Sequence, residues 1–223
     1  MPTFSPSSIR LWQLISPTLP VGTFCYSQGM EYAVEAGWVD DEQAASEWVL
    51  GQIRNNLSRL DVPVFFRLYD SWQSGQLETV RHWNEVTLAL RETAELYEQD
   101  RTLGLAMIRL LDGLDVRFPE LETENIAFIT AFSFACNHWS IDKLEAVHGL
   151  LWSWCENQVA AAVKLVPLGQ TSGQRILSNA IESITVSIEN GMSCVDEEIG
   201  LSAPGLAIAS ALHETQYSRL FRS

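Results

Sequence analysis

Apolar residues recur along most of the chain with the period of an α-helix. They are spaced three and four residues apart across residues 103–114, 144–166 and 177–188. This spacing places them on one face of a helix, which can then be buried. Alternating patterns of four or more residues bounded by turns, which would indicate β-strands, are absent. The pattern therefore predicts an all-α protein.

About ten helices are expected, and turn signals mark several of their ends. Asp61 precedes Val62-Pro63 and could cap a helix, residues 171–174 have the spacing of a capping box, and Gly191 stands where a helix should stop. The helices are predicted near residues 6–16, 27–36, 41–60, 62–74, 77–90, 92–114, 123–138, 140–166, 172–190 and 204–221.

The sequence contains neither a repeat of fixed period nor a low-complexity tract. We therefore predict one all-α domain over residues 1–223, a single bundle of about ten helices. Its N-terminal segment 1–26 and C-terminal tail 204–223 are apolar and lightly basic, and we expect a partner to order them.

Acidic side chains dominate the charge. The 223 residues contain 28 Asp and Glu against 14 Lys and Arg, a formal net charge of −14. This charge argues against general binding to nucleic acid or to anionic lipid, because both need a basic face. A hydrophobic content of 47% is too high for a disordered chain. Composition thus favours a folded globular protein.

The cysteines and apolar runs bear on the compartment. The four cysteines include no C-x-x-C pair, which is typical of reduced thiols. The longest mostly apolar run, residues 126–136, is about half the length that spans a bilayer. Residues 1–8 lack the basic and apolar regions of a secretory signal. We expect a cytoplasmic protein without membrane association.

Local motifs for chemistry are missing. The loop from Gly169 to Gln174 lacks the Lys-Ser/Thr of a phosphate-binding loop, and no G-x-S-x-G occurs. No two histidines stand four residues apart on a helix, as a preformed two-histidine metal site would need. A triad assembled from distant residues stays possible. The sequence predicts no catalytic residue and no metal site, and an enzyme is the weaker hypothesis.

Two segments have the composition of binding surfaces. Residues 16–31 form a loop rich in Pro and Gly that carries Phe24 and Tyr26 and leads to Glu31. It is either a recognition loop or a connection whose aromatic residues pack on the core. The tail ends in Tyr, Arg, Leu, Phe and Arg at residues 217–222, a composition typical of an interface. Docking on a partner and docking back on its own domain both remain open.

These segments resemble the urease accessory protein F family. The matching stretches are Ser16-Pro-Thr-Leu-Pro-Val-Gly with Tyr26-Ser-Gln-Gly-Met-Glu31, Glu92-Thr-Ala-Glu-Leu with Asp100-Arg101, Ala161-Ala-Val-Lys-Leu-Val-Pro-Leu-Gly-Gln170 with Gly173-Gln174, and His213-Glu-Thr-Gln-Tyr-Ser-Arg-Leu-Phe-Arg-Ser223. Together they extend over nearly the whole chain. Thr23 and Cys25 depart from the family pattern, which commonly has glycine and a small residue there.

The resemblance implies an all-α homodimer in the cytoplasm that works without a cofactor of its own. It would bind urease accessory protein D (also called H) and, through that pair, the accessory GTPase G. The assembly would dock on apo-urease and insert nickel. In this scheme the complex handles the nickel and the GTPase subunit binds GTP, while the chain itself is a non-enzymatic scaffold.

The family residues that carry over are Glu31, Lys164, Tyr217, Arg219 and Arg222. For Glu31 and Lys164, an ion pair that holds the loop against the core is at least as good an expectation as a partner contact. With the neighbouring apolar residues, the predicted partner-binding set is Tyr26, Glu31, Lys164, Tyr217, Arg219, Leu220, Phe221 and Arg222.

Two alternatives accompany the scaffold hypothesis. Arg219 or Arg222 could act on nucleotide in the GTPase, as arginine fingers do. The chain could also carry nickel directly through Cys25, His138 or His213.

Overall fold

A computed structural model describes residues 6–200 and 203–223, and this part of the chain is built of α-helices without β-strands. The prediction of an all-α bundle is confirmed. The ten helices are α1 (Pro6–Leu14), α2 (Met30–Glu35), α3 (Glu42–Gln52), α4 (Asp61–Ser74), α5 (Leu77–Ala89), α6 (Ala94–Gly113), α7 (Phe128–His138), α8 (Lys143–Leu165), α9 (Gln170–Ser193) and α10 (Pro204–His213). One π-helical turn, Ile53–Leu57, extends α3.

The hydrophobic core forms where α4 packs against its neighbouring helices. The long helices α8 and α9 pack against each other across a short connection, and α4 contacts α5, α7, α8 and α9. Phe65 of α4 and Phe132 of α7 are both fully buried, with ring centroids 6.3 Å apart. Such large side chains supply most of the apolar burial that holds the helices together.

Several helices begin at side-chain caps. The Asp41 carboxylate accepts from the amide N–H of Ala44 at 2.8 Å, and Asp142 accepts from two amides at the start of α8. The Thr93 hydroxyl accepts from the amide of Leu96 at the start of α6. These bonds satisfy amides that the first helical turn leaves without partners.

Three of the predicted boundary signals are wrong. Asp61 does not cap α4 but forms an ion pair with Arg91 at 2.7 Å. The start of α9 has no side-chain cap. Gly191 does not stop α9 but lies inside the helix. It faces Val62 so closely that an added Cβ would come 2.4 Å from a methyl group of Val62. Asp61 and Gly191 each serve a tertiary contact that local spacing does not reveal.

The last helix is shorter than its pattern predicts. We expected it near residues 204–221, but α10 ends at His213. The following ten residues turn back across the chain, which the apolar pattern alone does not distinguish from a helix. The seventh helix likewise begins at Phe128 rather than near residue 123.

Candidate partner-binding site

The tail after α10 packs into the loop before α2. The carbonyl oxygen of Ser223 accepts hydrogen bonds from the hydroxyl of Ser27 at 2.7 Å and from the amide of Gln28 at 3.0 Å. The Ser223 hydroxyl donates to the side chain of Gln99 on α6 at 2.8 Å. Phe221 is 7% exposed. The tail therefore docks on its own domain, which is one of the two outcomes left open by the sequence.

Glu31 anchors the tail from the first turn of α2. Its two carboxylate oxygens accept from the amides of Leu220 at 2.6 Å and Phe221 at 2.8 Å. Glu31 is 7% exposed, so these charge-assisted bonds are shielded from water. This carboxylate holds a stretch of backbone that has no helix or sheet to satisfy it.

His213 joins Glu31 to a second carboxylate. The imidazole is fully buried, with Nε2 3.3 Å from Glu31 and Nδ1 2.8 Å from Glu95 on α6. Glu95 also accepts from the guanidinium of Arg219 at 2.7 Å. Residues from α2, α6, α10 and the tail thus meet in one polar cluster, which we name the tail cluster: Glu31, Glu95, His213 and Arg219.

Gly29 lets α10 approach this cluster closely. Its φ of 76° lies in the left-handed region, and an added Cβ would come 2.9 Å from the backbone nitrogen of Ser210. A side chain here would therefore be strained and would also press on α10. The left-handed glycine is one reason why the loop can turn beneath α10.

The docked tail leaves apolar side chains in solvent. Tyr217 has a relative exposure of 105% and Leu220 of 68%. Ile208 and Leu212, on the outer side of α10, are 51% and 41% exposed. We name these four residues the tail face. Large apolar side chains held in solvent by an ordered segment are typical of protein-binding surfaces.

The predicted site residues divide into exposed and buried groups. Tyr217, Arg219, Leu220, Arg222 and Lys164 are exposed. Tyr26, Glu31 and Phe221 are instead buried within the chain. Their place in the structure is internal: they hold the loop and the tail together. A role of the eight residues in partner binding stays a prediction.

The expected ion pair between Glu31 and Lys164 is wrong. Glu31 faces His213 and the tail amides, while the Lys164 ammonium lies 5.7 Å from the centroid of the Phe221 ring. A cation over an aromatic face is a favourable contact. Both residues therefore secure the tail, through different partners.

Neither Glu95 as a site residue nor the contact of His213 with Glu31 is predicted from the sequence. Glu95 stands inside the Glu92-Thr-Ala-Glu-Leu stretch that carried part of the family resemblance, so a signal was present. Nothing local marked its partners, because Glu31, Glu95 and His213 are separated by 64 and 118 residues along the chain.

A second buried polar group lies behind the site. Arg91 bridges Asp61 and Asp100, with each carboxylate 2.7 Å from a guanidinium nitrogen. Burial lowers the pKa of Arg91, but the charges of Asp100 and Asp61 raise it by more, so its pKa lies above its ordinary value. The three residues line a cavity of about 110 Å³ that also contacts Tyr26 and Gln28. This group ties the start of α4 to α6.

Metal-binding residues are dispersed in the part of the chain that the structure describes. No group of three His, Cys, Asp or Glu side chains there is arranged to hold a metal ion. His213 has both ring nitrogens directed at carboxylates, and the ring of His138 packs against Phe134 and Trp139. The structure therefore does not join Cys25, His138 and His213 into one site.

Comparison with known proteins identifies the family. The model of the UreF family matches residues 39–181. The urease accessory protein UreF of Alkalilimnicola ehrlichii is 48% identical over 216 residues, covering 96% of this chain and 95% of that protein. Those of Chromohalobacter salexigens and Hahella chejuensis are 42% and 44% identical, covering 96% of this chain and 93% and 97% of their own lengths.

The chain belongs to the UreF family. The resemblance inferred from the four motifs is thereby confirmed, and membership of the UreF family implies a role in urease maturation. The UreF relatives are named accessory proteins, which implies a non-catalytic role. Within residues 6–200 and 203–223, no helix combines the length and the apolar character needed to cross a bilayer.

Proposed function

We propose that this chain is a non-enzymatic scaffold in urease maturation. It binds urease accessory protein D/H through the tail face and, with that protein, recruits the accessory GTPase G to apo-urease for GTP-dependent nickel insertion. The observation that carries the proposal is the exposure of Tyr217 and Leu220 on a segment whose backbone is fixed by buried hydrogen bonds. All four cysteines are free thiols, which supports a reducing cytoplasmic compartment.

The fixed conformation of the tail supports a role in partner binding. A surface that is already held in one conformation loses little entropy when a partner covers it. Burying Tyr217 and Leu220 would then contribute about 1.5 to 3 kcal/mol for each side chain. Such residues at the centre of an interface are the ones whose removal weakens binding most.

Substitution tests the tail face more sharply than truncation. Deleting residues 213–223 would uncover the surface beneath Phe221, whereas Tyr217 and Leu220 contribute exposed side chains. We expect Tyr217→Ser with Leu220→Ser to abolish co-purification with accessory protein D/H and leave the melting temperature unchanged. Met192→Ser with Val195→Ser, two residues about half exposed on another part of the surface, is the matched control. Equal recovery of the complex from all three proteins would refute the proposal.

An apolar groove supports homodimer formation through a second surface. It lies between α1, α8 and α9, where Trp12 is 56% and Ile181 57% exposed, and Ile15 and Trp152 also line it. Its lining contains one acidic residue, Glu145, in a chain of net charge −14. Two strongly acidic copies repel each other least where their surfaces are nearly uncharged. We therefore propose that a second copy covers this groove.

The oligomeric state tests the groove. Ile181→Glu should convert the dimer to a monomer in sedimentation equilibrium, because it would bury a charge in the interface. Met192→Glu, a substitution at similar exposure outside the groove, should leave the dimer intact. A monomeric parent protein, or a dimer that survives Ile181→Glu, would overturn this assignment.

One observation favours a second function, regulation of the GTPase by a tail arginine. Among the described residues, the Arg222 guanidinium has no hydrogen bond or ion pair, whereas Arg219 is bound to Glu95. An unengaged guanidinium is available to a phosphate. If Arg222 acts on nucleotide, Arg222→Ala will leave the complex intact and slow GTP turnover. Loss of the complex would instead assign Arg222 to scaffolding.

A further inference from the structure

The tail cluster places one imidazole between two buried carboxylates. His213 has Nδ1 2.8 Å from Glu95 and Nε2 3.3 Å from Glu31, on opposite sides of the ring. A neutral imidazole carries a hydrogen on only one nitrogen. In that form, the other nitrogen would direct a lone pair at a carboxylate. When both carboxylates are ionised, both contacts are favourable only if both ring nitrogens carry hydrogen.

The charge of the cluster leads to the same conclusion. The charged groups around His213 are Glu31 from α2, Glu95 from α6 and Arg219 from the tail. With a protonated ring, the two negative charges are balanced by two positive ones. With a neutral ring, one negative charge stays uncompensated in a region where His213 is fully buried. An unbalanced buried charge is costly, and removing the docked tail would expose it to water.

These two carboxylates are also the groups that hold the tail. Glu31 accepts the amides of Leu220 and Phe221, and Glu95 accepts the guanidinium of Arg219. Whatever disturbs the carboxylates therefore disturbs the docking of the tail. The side chain of His213 is fully buried, so it would not itself touch a partner.

We propose that His213 is a positioning residue, and that its protonation latches the tail onto α2 and α6. The charged ring keeps the tail face presented to a partner, and loss of the proton releases the tail. This inference rests on the proposed function for its biological use, because the tail face is the surface that is presented. The latch itself is a property of the isolated chain.

The direction of the pH dependence follows from proton linkage. If the charged ring holds the tail, docking is coupled to the binding of one proton, so docking weakens as pH rises. For one linked proton, the opening equilibrium changes by at most about tenfold per pH unit.

Hydrogen exchange of the isolated full-length chain tests the latch without any partner. Protection factors for a peptide containing Leu220 and Phe221, corrected for the chemical exchange rate, are measured from about pH 6, near the ordinary pKa of histidine, to about pH 9. We expect protection to fall as pH rises, by up to about tenfold per pH unit where the proton is lost. Protection that is independent of pH would overturn the proposal.

Two variants separate the latch from general stability. Glu95→Gln removes one of the two charges that His213 balances, and with it the ion pair to Arg219. Protection should therefore be lower than in the parent protein, but it should no longer fall as pH rises. His82→Gln, at an exposed histidine on α5, should keep the slope of the parent protein. A parent-like slope in Glu95→Gln, or a lost slope in His82→Gln, would each refute the assignment.

The ring nitrogens provide a readout that needs no substitution. Nitrogen NMR of the parent protein distinguishes a doubly protonated imidazole from either neutral tautomer. We expect two N–H groups on His213 while the tail is docked. A single N–H in the docked state would refute the latch, yet leave the proposed scaffold intact. Failure of the tail-face variants to lose accessory protein D/H would refute the scaffold and leave the latch intact.

Discussion

Replacing Gly29 by alanine would show how strongly the close approach of α10 depends on one missing side chain. The φ of Gly29 is 76°, and the new Cβ would lie 2.9 Å from the Ser210 nitrogen and 3.1 Å from the Ala209 Cβ. These neighbours are helix backbone and a methyl group, so neither can rotate away. The substitution therefore adds a conformational cost and a packing cost.

Both costs can be estimated. An alanine in the left-handed region costs about 1 to 2 kcal/mol, partly offset by about 0.4 to 1 kcal/mol because the unfolded chain loses freedom. Overpacking a tight contact costs about 1 to 3 kcal/mol more. We expect Gly29→Ala to lower the free energy of unfolding by about 2 to 4 kcal/mol in total.

Gly22→Ala is the matched control. Gly22 lies in the same loop with a φ of 87°, but an added Cβ would meet nothing within 4 Å. It should carry only the conformational cost, about 1 kcal/mol. The difference between the two variants isolates the contact with α10.

Urea unfolding measures the difference in stability, and hydrogen exchange locates it. We expect Gly29→Ala to lose protection in α10 and in the tail, whereas Gly22→Ala keeps both. If the two variants have the same stability and the same protection in α10, the close contact does not hold α10 in place, and our account of the tail is wrong.

Three further predictions concern other parts of the molecule. Arg91→Met should lower the free energy of unfolding by about 3 to 5 kcal/mol in chemical denaturation, because it leaves two buried carboxylates without a cation; a loss below 1 kcal/mol would contradict this. Gly104→Ala should lower the free energy of unfolding at least as much as Gly29→Ala in the same measurement, since a Cβ at residue 104 would come 1.9 Å from the carbonyl oxygen of Ile126. A thiol reagent at about pH 8 should label only Cys25 in the native chain, because burial raises the pKa of the other three thiols, that of Cys155 to about 12; more than one label per native chain would refute it.

The helical class and most of the helices follow from the sequence alone. A stretch such as residues 144–166 has an apolar face at helical spacing, and that face must be buried whatever it packs against. The structure places α8 over Lys143–Leu165, close to the expected range. Periodicity is a local property, so each helix can be inferred without knowledge of its neighbours.

The candidate site was determined only in part by the sequence. Composition marks the tail as unusual and points to Tyr217 and Leu220, which the structure shows to be exposed. It could not show that Phe221 turns inward, because an interface and a core have the same apolar composition. The end of α10 at His213 was missed for the same reason, since helical spacing continued beyond the point where the backbone leaves the helix.

Only the tertiary structure decided how the tail is held. Glu31, Glu95 and His213 are far apart in the chain, and Asp61, whose position predicts a helix cap, pairs with Arg91 instead. The local sequence determines the helical propensity of the backbone and the spacing of the residues that must be buried. The pairing of buried charges depends on which helix faces are brought together, and that is set by the packing of the whole bundle.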